Sequence, residues 1–275
     1  MLMTVDTGGT KTLVAGFDAD GRITASAKFP TPKDQTEYLK TLQSTVAEVA
    51  GNETIDVISI AMPGIIKDGV ALWCNNLKWE NFRAKEALEV AFPGVRILIE
   101  NDANLAGLSE TRGLEVTPVS SLYVTVSTGI GTGITTNGHI DPGLRHSEGG
   151  RILVEYNGES REWESFASGG AIYRTYDQYA RDITDPKIWS DIAHRVSRGF
   201  LAVIPLIQPD IIIIGGSMGT YFDSYGKELA EILAKDLPHH IPCPPIIAAR
   251  HPEEAVIYGC YYYAIDELSA IEAEA

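Results

Sequence analysis

Two short stretches of this 275-residue chain join glycines to hydroxyl side chains in a way that suits phosphate. The first is Asp6-Thr7-Gly8-Gly9-Thr10-Lys11; the second is Ser127-Thr128-Gly129-Ile130-Gly131-Thr132-Gly133. Glycines leave backbone N–H groups bare, and bare N–H groups make good anion partners. The first stretch is not a Walker A loop, which needs Gly-Lys-Ser/Thr, because Thr10 precedes Lys11. Nor is it a Rossmann fingerprint, since Gly-x-Gly-x-x-Gly is absent and no helical pattern follows. Alone, it fits a plain β-hairpin turn as well as a phosphate cradle. Two such turns, with the pair Gly215-Gly216 after an apolar run, favour the cradle. Hairpins without a ligand would leave Thr7, Thr10, Ser127, Thr128 and Thr132 as unexplained polar company. A third stretch, Glu100-Asn101-Asp102-Ala103-Asn104, puts an acid just before a helical pattern. Asp102 there is either a helix N-cap or a carboxylate with chemistry to do.

The elements around these residues follow an α/β layer pattern. Strands are expected over 2–5, 12–18 and 23–29, with Asp18-Ala19-Asp20-Gly21 as turn chemistry before the third. Tyr38, Leu39, Leu42, Val46 and Val49 share one face of a helix over 35–50. A buried strand broken at Pro63-Gly64, a helix over 83–91, a strand in "VRILIEND" and a helix over 103–111 complete this half. From residue 121 the plan restarts: strand, glycine turn, strand, Asn137-Gly138 turn and a third strand. A helix over 188–206, the strand of "DIIIIGGSM", a helix over 226–235 and a C-terminal helix follow. The repeat is one supersecondary unit used twice, too long in period for a solenoid. Two related halves imply a cleft in which both glycine turns hold one polyphosphate chain. The expected domains are 1–110, with a helix over 257–275 packed on them, and 111–256.

Composition narrows the partners. Hydrophobic residues at 44% and charged residues at 21% describe a soluble globular protein. No apolar run reaches the length of a membrane span, and the start lacks the features of a signal peptide. Twenty-two basic against 37 acidic residues give a net charge of −15, which repels nucleic acid and membrane surfaces. Cys74, Cys243 and Cys260 are widely spaced with no C-x-x-C pair, which suits a reducing cytoplasm.

The three motif blocks, with Ala61-Met62-Pro63-Gly64, Trp79, Phe166-Ala167-Ser168-Gly169 and Gly215-Gly216-Ser217 in the same order, resemble the ROK family over nearly the whole chain. That family comprises bacterial sugar kinases and related repressors. The resemblance implies a two-domain actin/hexokinase-like, ribonuclease-H-like α/β fold with a central cleft. It implies that Gly8, Gly9, Thr10, Lys11, Thr128, Gly129, Gly131 and Thr132 hold ATP phosphates, with Gly215 and Gly216 against the adenosine. Asp6 would sit near Mg²⁺ through water, Asp102 would be the general base, and Asn101 would bond sugar hydroxyls.

One region departs from the family. Its usual Gly-Glu-x-Gly-His and cysteine-rich zinc knuckle ending in Cys-Leu-Glu are here Ser147-Glu148-Gly149-Gly150-Arg151 and "ILVEYNGESREWE". Glu148 and Glu164 match the family glutamates that contact sugar; Arg151 replaces the zinc-binding histidine, which also contacts sugar, and by that resemblance is expected among the substrate-binding residues. No zinc is expected, because structural zinc needs thiolate or imidazole ligands at set spacing. His146 and the pair His239-His240 read as surface or loop residues. The rigidity that zinc supplies elsewhere must come from packing, with Trp163 and Phe166 as candidates.

The expectation is therefore a cytoplasmic, ATP- and Mg²⁺-dependent hexose kinase of the glucokinase type. Fructose, an N-acetylhexosamine or a polyphosphate donor are the alternatives. A sugar-sensing repressor is disfavoured, since the first phosphate motif begins at residue 6, with no DNA-binding segment before it. The partners are a sugar and ATP, with no nucleic acid or membrane; a homodimer is implied by the resemblance alone.

Overall fold

The computed structural model describes residues 1–251 and 254–274. It divides into two compact units, one comprising Met1–Ser109 with the C-terminal helix and the other beginning at Glu110.

The first unit opens with β1 (Leu2–Thr7), β2 (Lys11–Phe17) and β3 (Ile23–Pro30), then α1 (Gln35–Ala50). The start of α1 is dictated locally: the Asp34 carboxylate accepts the Glu37 amide at 2.8 Å, a cap worth about 1 kcal/mol. Its apolar stripe buries Tyr38, Leu42, Val46 and Val49. Next come β4 (Val57–Met62), β5 (Ile65–Lys67), β6 (Val70–Cys74), β7 (Trp79–Phe82), α2 (Ala84–Ala91), β8 (Arg96–Asn101) and α3 (Asp102–Arg112). β1 pairs antiparallel with β2 but parallel with β4, in the strand order β3-β2-β1-β4-β8. β4 is buried at every residue, as a central strand covered on both faces must be. The C-terminal helix, Ala255–Glu274, belongs to this unit. A Cβ on its Gly259 would stand 2.0 Å from the Leu105 carbonyl oxygen, so glycine sets that close approach to α3.

The second unit repeats the plan with β9 (Ser120–Val126), β10 (Ile130–Thr136) and β11 (His139–Ile140). A single 3₁₀ turn (Gly149–Arg151) leads to a hairpin of β12 (Leu153–Tyr156) and β13 (Glu159–Glu162), then α4 (Trp163–Ala167) and α5 (Gly169–Tyr176). The long α6 (Pro186–Ile207), β14 (Ile211–Gly215), α7 (Gly216–Gly219), α8 (Gly226–Asp236) and β15 (Ile246–Ala248) complete it. Its sheet runs β11-β10-β9-β14-β15, the same order and strand directions as the first. The duplicated hairpins of the sequence are thus the leading strands of two equivalent sheets.

The hairpin and α4 rest on α6. Trp163 is fully buried, and a Cβ on Gly199 of α6 would lie 2.0 Å from its ring. Phe166 stacks on Tyr156 of β12 with ring centroids 4.2 Å apart. Packing by Trp163 and Phe166 therefore does anchor the segment where the sequence left that task to them. Among the described residues no helix is long and apolar enough to cross a membrane.

Candidate functional site

In the first unit, the turn after β1 is braced on its carbonyl side. Thr31 Oγ1 donates to the Gly8 carbonyl at 2.8 Å, Lys33 Nζ to the Gly9 carbonyl at 2.6 Å, and the Thr31 amide to the Thr10 carbonyl at 2.9 Å. The Gly8 amide closes the turn onto Lys11 at 3.1 Å. The amides of Gly9 and Thr10 have no hydrogen-bond partner among the described residues, which leaves two donors for an anion. Side chains are excluded by space: a Cβ would meet the Lys11 carbonyl oxygen at 2.8 Å from Gly8 and Asn76 Cβ at 2.8 Å from Gly9. Lys33 was not legible as a site residue, because it lies in no glycine motif. It also donates to the Asn76 carbonyl at 2.6 Å, tying two loops to the turn.

The junction of β8 and α3 settles which residue caps the helix. Asn101 Oδ1 accepts the amides of Ala103 at 2.8 Å and Asn104 at 3.2 Å, while its Nδ2 donates to the Gly64 carbonyl at 2.9 Å. The buried Glu100 takes the Asn101 amide and Asn104 Nδ2 at 2.7 and 2.9 Å. Asn101 thus carries the capping duty, and Asp102 stands as the first helical residue. Its Oδ1 also accepts the Ala103 amide, at 2.9 Å.

Asp102 and Asp6 are both half-buried and electrostatically coupled. Burial first, and the negative charge of Asp6 second, push the Asp102 carboxyl up from 3.8 to about 7, against the backbone amides that favour its charged form. Burial pushes Asp6 up to about 6, with Lys11 and Lys28 offsetting only part of it. A carboxylate whose protonation is balanced near neutrality, at the C-terminal end of a parallel strand, is suited to general-base work.

In the second unit, the turn between β9 and β10 is closed by the Ser127 amide on the Gly129 carbonyl at 2.9 Å. α5 seats its first residues on this turn: a Cβ on Gly169 would lie 2.8 Å from the Ser127 carbonyl oxygen, and one on Gly170 2.6 Å from that of Thr128. Ser168 caps α5 by accepting the Ala171 amide at 3.2 Å. Beside the turn opens a cavity of about 480 Å³, whose walls include Thr128, Gly170, Tyr173, Tyr179, Arg181 and Ser217. Tyr173 and Tyr179 stack at 4.5 Å, and the Arg181 guanidinium lies 4.8 Å over the Tyr179 ring. These aromatics were missed by sequence reading; the only signal was Tyr-x5-Tyr with an arginine soon after the Ser168-Gly169 motif.

Other expected residues fall nearby with different neighbours. Gly215 and Gly216 pack on β9, where Cβ atoms would come within 2.2 Å of Tyr123 Oη and 2.6 Å of Thr125 Oγ1. Close packing thus requires both glycines, while the adjacent Ser217 reaches the cavity. Gly131 pairs with Thr125 within the β-ladder. Thr132 Oγ1 accepts the Gly149 amide at 3.0 Å and so supports the segment bearing Glu148. Glu148 and Thr132 both line a second, larger cavity of about 580 Å³. Arg151 makes ion pairs with Glu162 at 3.0 Å and Glu164 at 3.1 Å.

The stretch 149–163 holds no cysteine or histidine, the donors that structural zinc needs. Among the described residues no three His, Cys, Asp or Glu side chains converge in a way that could hold a metal ion.

The ROK family model matches residues 2–267. An N-acetylmannosamine kinase of Escherichia coli (strain SE11) is 30% identical over 297 residues, covering 96% of this chain and 98% of the relative. A ROK hexokinase from Thermus thermophilus superposes with a TM-score of 0.81 at 26% identity, over 97% of this chain and 99% of the other. An inorganic polyphosphate/ATP-glucomannokinase from Arthrobacter sp. strain KM does so with a TM-score of 0.73 at 26% identity, over 96% and 98%. A relative provisionally assigned as a xylose repressor, from Caldicellulosiruptor sp., is 26% identical over 78% of this chain, and the chain spans only 63% of its length.

Proposed function

Because the chain belongs to the ROK family, we propose that it is a sugar kinase that transfers the terminal phosphoryl group of ATP to a hexose hydroxyl, with glucose the first candidate acceptor. The observation that carries this reading is the place of Asp102, the first residue of α3 at the C-terminal end of parallel strand β8, where burial and the charge of Asp6 raise its carboxyl. Phosphoryl transfer asks a protein mostly for positioning and charge neutralisation, plus one base aimed at the attacking oxygen. In the proposed reaction Asp102 accepts the proton of the sugar hydroxyl at its carboxylate oxygen. Asn101 in the first unit, and Glu148 and Glu164 in the second, are the residues proposed to bond sugar hydroxyls. The bare amides of Gly9 and Thr10 and the turn at Thr128–Gly129 take phosphate oxygens.

The tyrosine-walled cavity supports a nucleotide donor over inorganic polyphosphate, since a base gains by stacking on Tyr173 or Tyr179 and a polyphosphate chain does not. The raised carboxyl of Asp6, only partly offset by lysines, fits Mg²⁺, a hard ion that prefers oxygen and keeps its waters. Asp6 would hold it through water, and when bound it supplies charge neutralisation at the phosphates. A reducing, cytoplasmic setting suits the free thiols of Cys74, Cys243 and Cys260.

Fructose and N-acetylhexosamines remain the alternative acceptors, the latter supported by the kinase relative matched over 98% of its length. A sugar-binding regulator would need the acceptor residues but gives no purpose to the raised Asp102. A coupled assay of ATP turnover against a panel of hexoses and hexosamines tests the reading. Turnover with at least one of them supports it, and none with any overturns it.

A further inference from the structure

Arg151 sits in the 3₁₀ turn Gly149–Arg151, which β10 holds in place. The Gly149 amide donates to Thr132 Oγ1 at 3.0 Å, and a Cβ on Gly150 would come within 2.1 Å of the Ile130 carbonyl oxygen. The guanidinium of Arg151 reaches out of this turn to two acids at once. Nη1 meets Glu162 Oε2 at 3.0 Å and Nη2 meets Glu164 Oε1 at 3.1 Å. All three side chains are half-buried or nearly so, at 37, 42 and 24% exposure, so the pairs are less screened than fully exposed ones. The two acids flank Trp163, which is buried against α6, and so they cannot move apart freely. The other oxygen of Glu164 accepts the Ile130 amide at 3.2 Å, on the second glycine turn. Both carboxylate oxygens of Glu164 are therefore engaged, one by a cation and one by backbone.

We propose that Arg151 is a positioning residue. Its guanidinium, shared between Glu162 and Glu164, fixes the direction of the Glu164 carboxylate and links the acceptor segment 147–151 to the second glycine turn. The planar fork is what allows one side chain to serve two acids; a lysine ammonium concentrates its charge at one point. This deepens the proposed function, and rests on it for the role of Glu164 toward the acceptor. Arg151 acts through Glu164 rather than on the phosphates, and the second glycine turn keeps its own closure, the Ser127 amide on the Gly129 carbonyl at 2.9 Å, so the loss falls first on the acceptor.

The test uses Arg151→Met, Arg151→Lys, Glu162→Gln and the double variant Arg151→Met/Glu162→Gln. Acceptor KM, ATP KM and the thermal midpoint are measured for each. Arg151→Met is expected to raise acceptor KM roughly tenfold and to leave ATP KM within about twofold, with Arg151→Lys intermediate. The double variant should be no worse than Arg151→Met, because the clasp is already open. A folded Arg151→Met with native acceptor KM overturns the proposal, as does an equal rise in both KM values. If Arg151→Met fails to fold, Glu162→Gln decides: a raised acceptor KM supports the clasp and an unchanged one overturns it. If wild type turns over no sugar, the kinase reading fails separately. The clasp is then judged on thermal midpoints, where losses in Arg151→Met and Glu162→Gln that do not add support it and additive losses overturn it.

Discussion

Replacing Asp102 with asparagine should make the protein more stable at neutral and alkaline pH while it destroys activity. Burial and Asp6 lift the Asp102 carboxyl from 3.8 to about 7, so the fold disfavours the charged form. The sign follows from proton counting. Between about pH 4 and 7 the native state keeps a proton that the unfolded chain has released, so stability falls as pH rises through that window. At about 1.4 kcal/mol per pH unit, the whole span amounts to about 4 kcal/mol. Asp102 is only half-buried, and solvent at its edge reduces the figure to about 2–4 kcal/mol. Asparagine keeps the shape and the oxygen that accepts the Ala103 amide, but it never carries the charge. For a chain of this size about 1 kcal/mol corresponds to 2–4 °C. Thermal unfolding at pH 8 should therefore show Asp102→Asn melting at least about 4 °C above wild type. The gap should close on acidification, because below about pH 4 both side chains are neutral in both states. A gap that is absent at pH 8, or that does not change with pH, would refute the account of Asp102 as a strained charge.

In the proposed reaction the same carboxyl sets the acidic limb. Only its ionised form accepts a proton, so kcat/KM should fall about tenfold for each pH unit below about 7, and a flat profile down to pH 5 would assign the base elsewhere. Lys33→Met removes the ammonium that holds the Gly9 carbonyl, and steady-state kinetics should show ATP KM rising several-fold with acceptor KM unchanged. Tyr179→Ala takes away half of the aromatic stack in the cavity. Base stacking on an aromatic side chain is worth about 1–3 kcal/mol, so titration calorimetry should show ATP binding weakened by about fivefold or more and sugar binding unaffected.

The largest elements were readable because several local signals agreed in them. For α1, Asp34 caps, Tyr38, Leu42 and Val46 supply the stripe and Gly51 closes it; expected and observed bounds coincide. The repeat was readable because each glycine turn stands between two β-branched runs, and the two sheets do share one strand order. The start of α6 lay two residues earlier than its periodicity implied, at Asp185-Pro186, a cap followed by proline at the first helical position. Of the small sheet only the start of β5 was read, as the end of a strand broken at Pro63-Gly64; β6, β7 and the hairpin β12-β13 were not assigned. Their strands are three to five residues long, too short for alternation to stand out, and β13 is wholly polar. Asn157-Gly158, both at positive φ, is the turn signal that could have found the hairpin. At the site, the glycines and Asp102 are in contiguous motifs and so were visible. Lys33 and the Arg151 ion pairs depend on contacts between residues 11 to 43 apart, which spacing alone does not reveal.

In the proposed reaction Asp102 is the base of a sugar phosphotransferase. Phosphorus NMR on wild type and Asp102→Asn, incubated with ATP, Mg²⁺ and each sugar of the panel, follows that step itself, with sugar affinity measured alongside by calorimetry. Wild type should form one sugar phosphate per ADP with its cognate sugar. The variant should lose at least about 10²-fold in that rate while still binding the sugar. Sugar phosphate forming at a near-native rate in Asp102→Asn would mean that Asp102 is not the base.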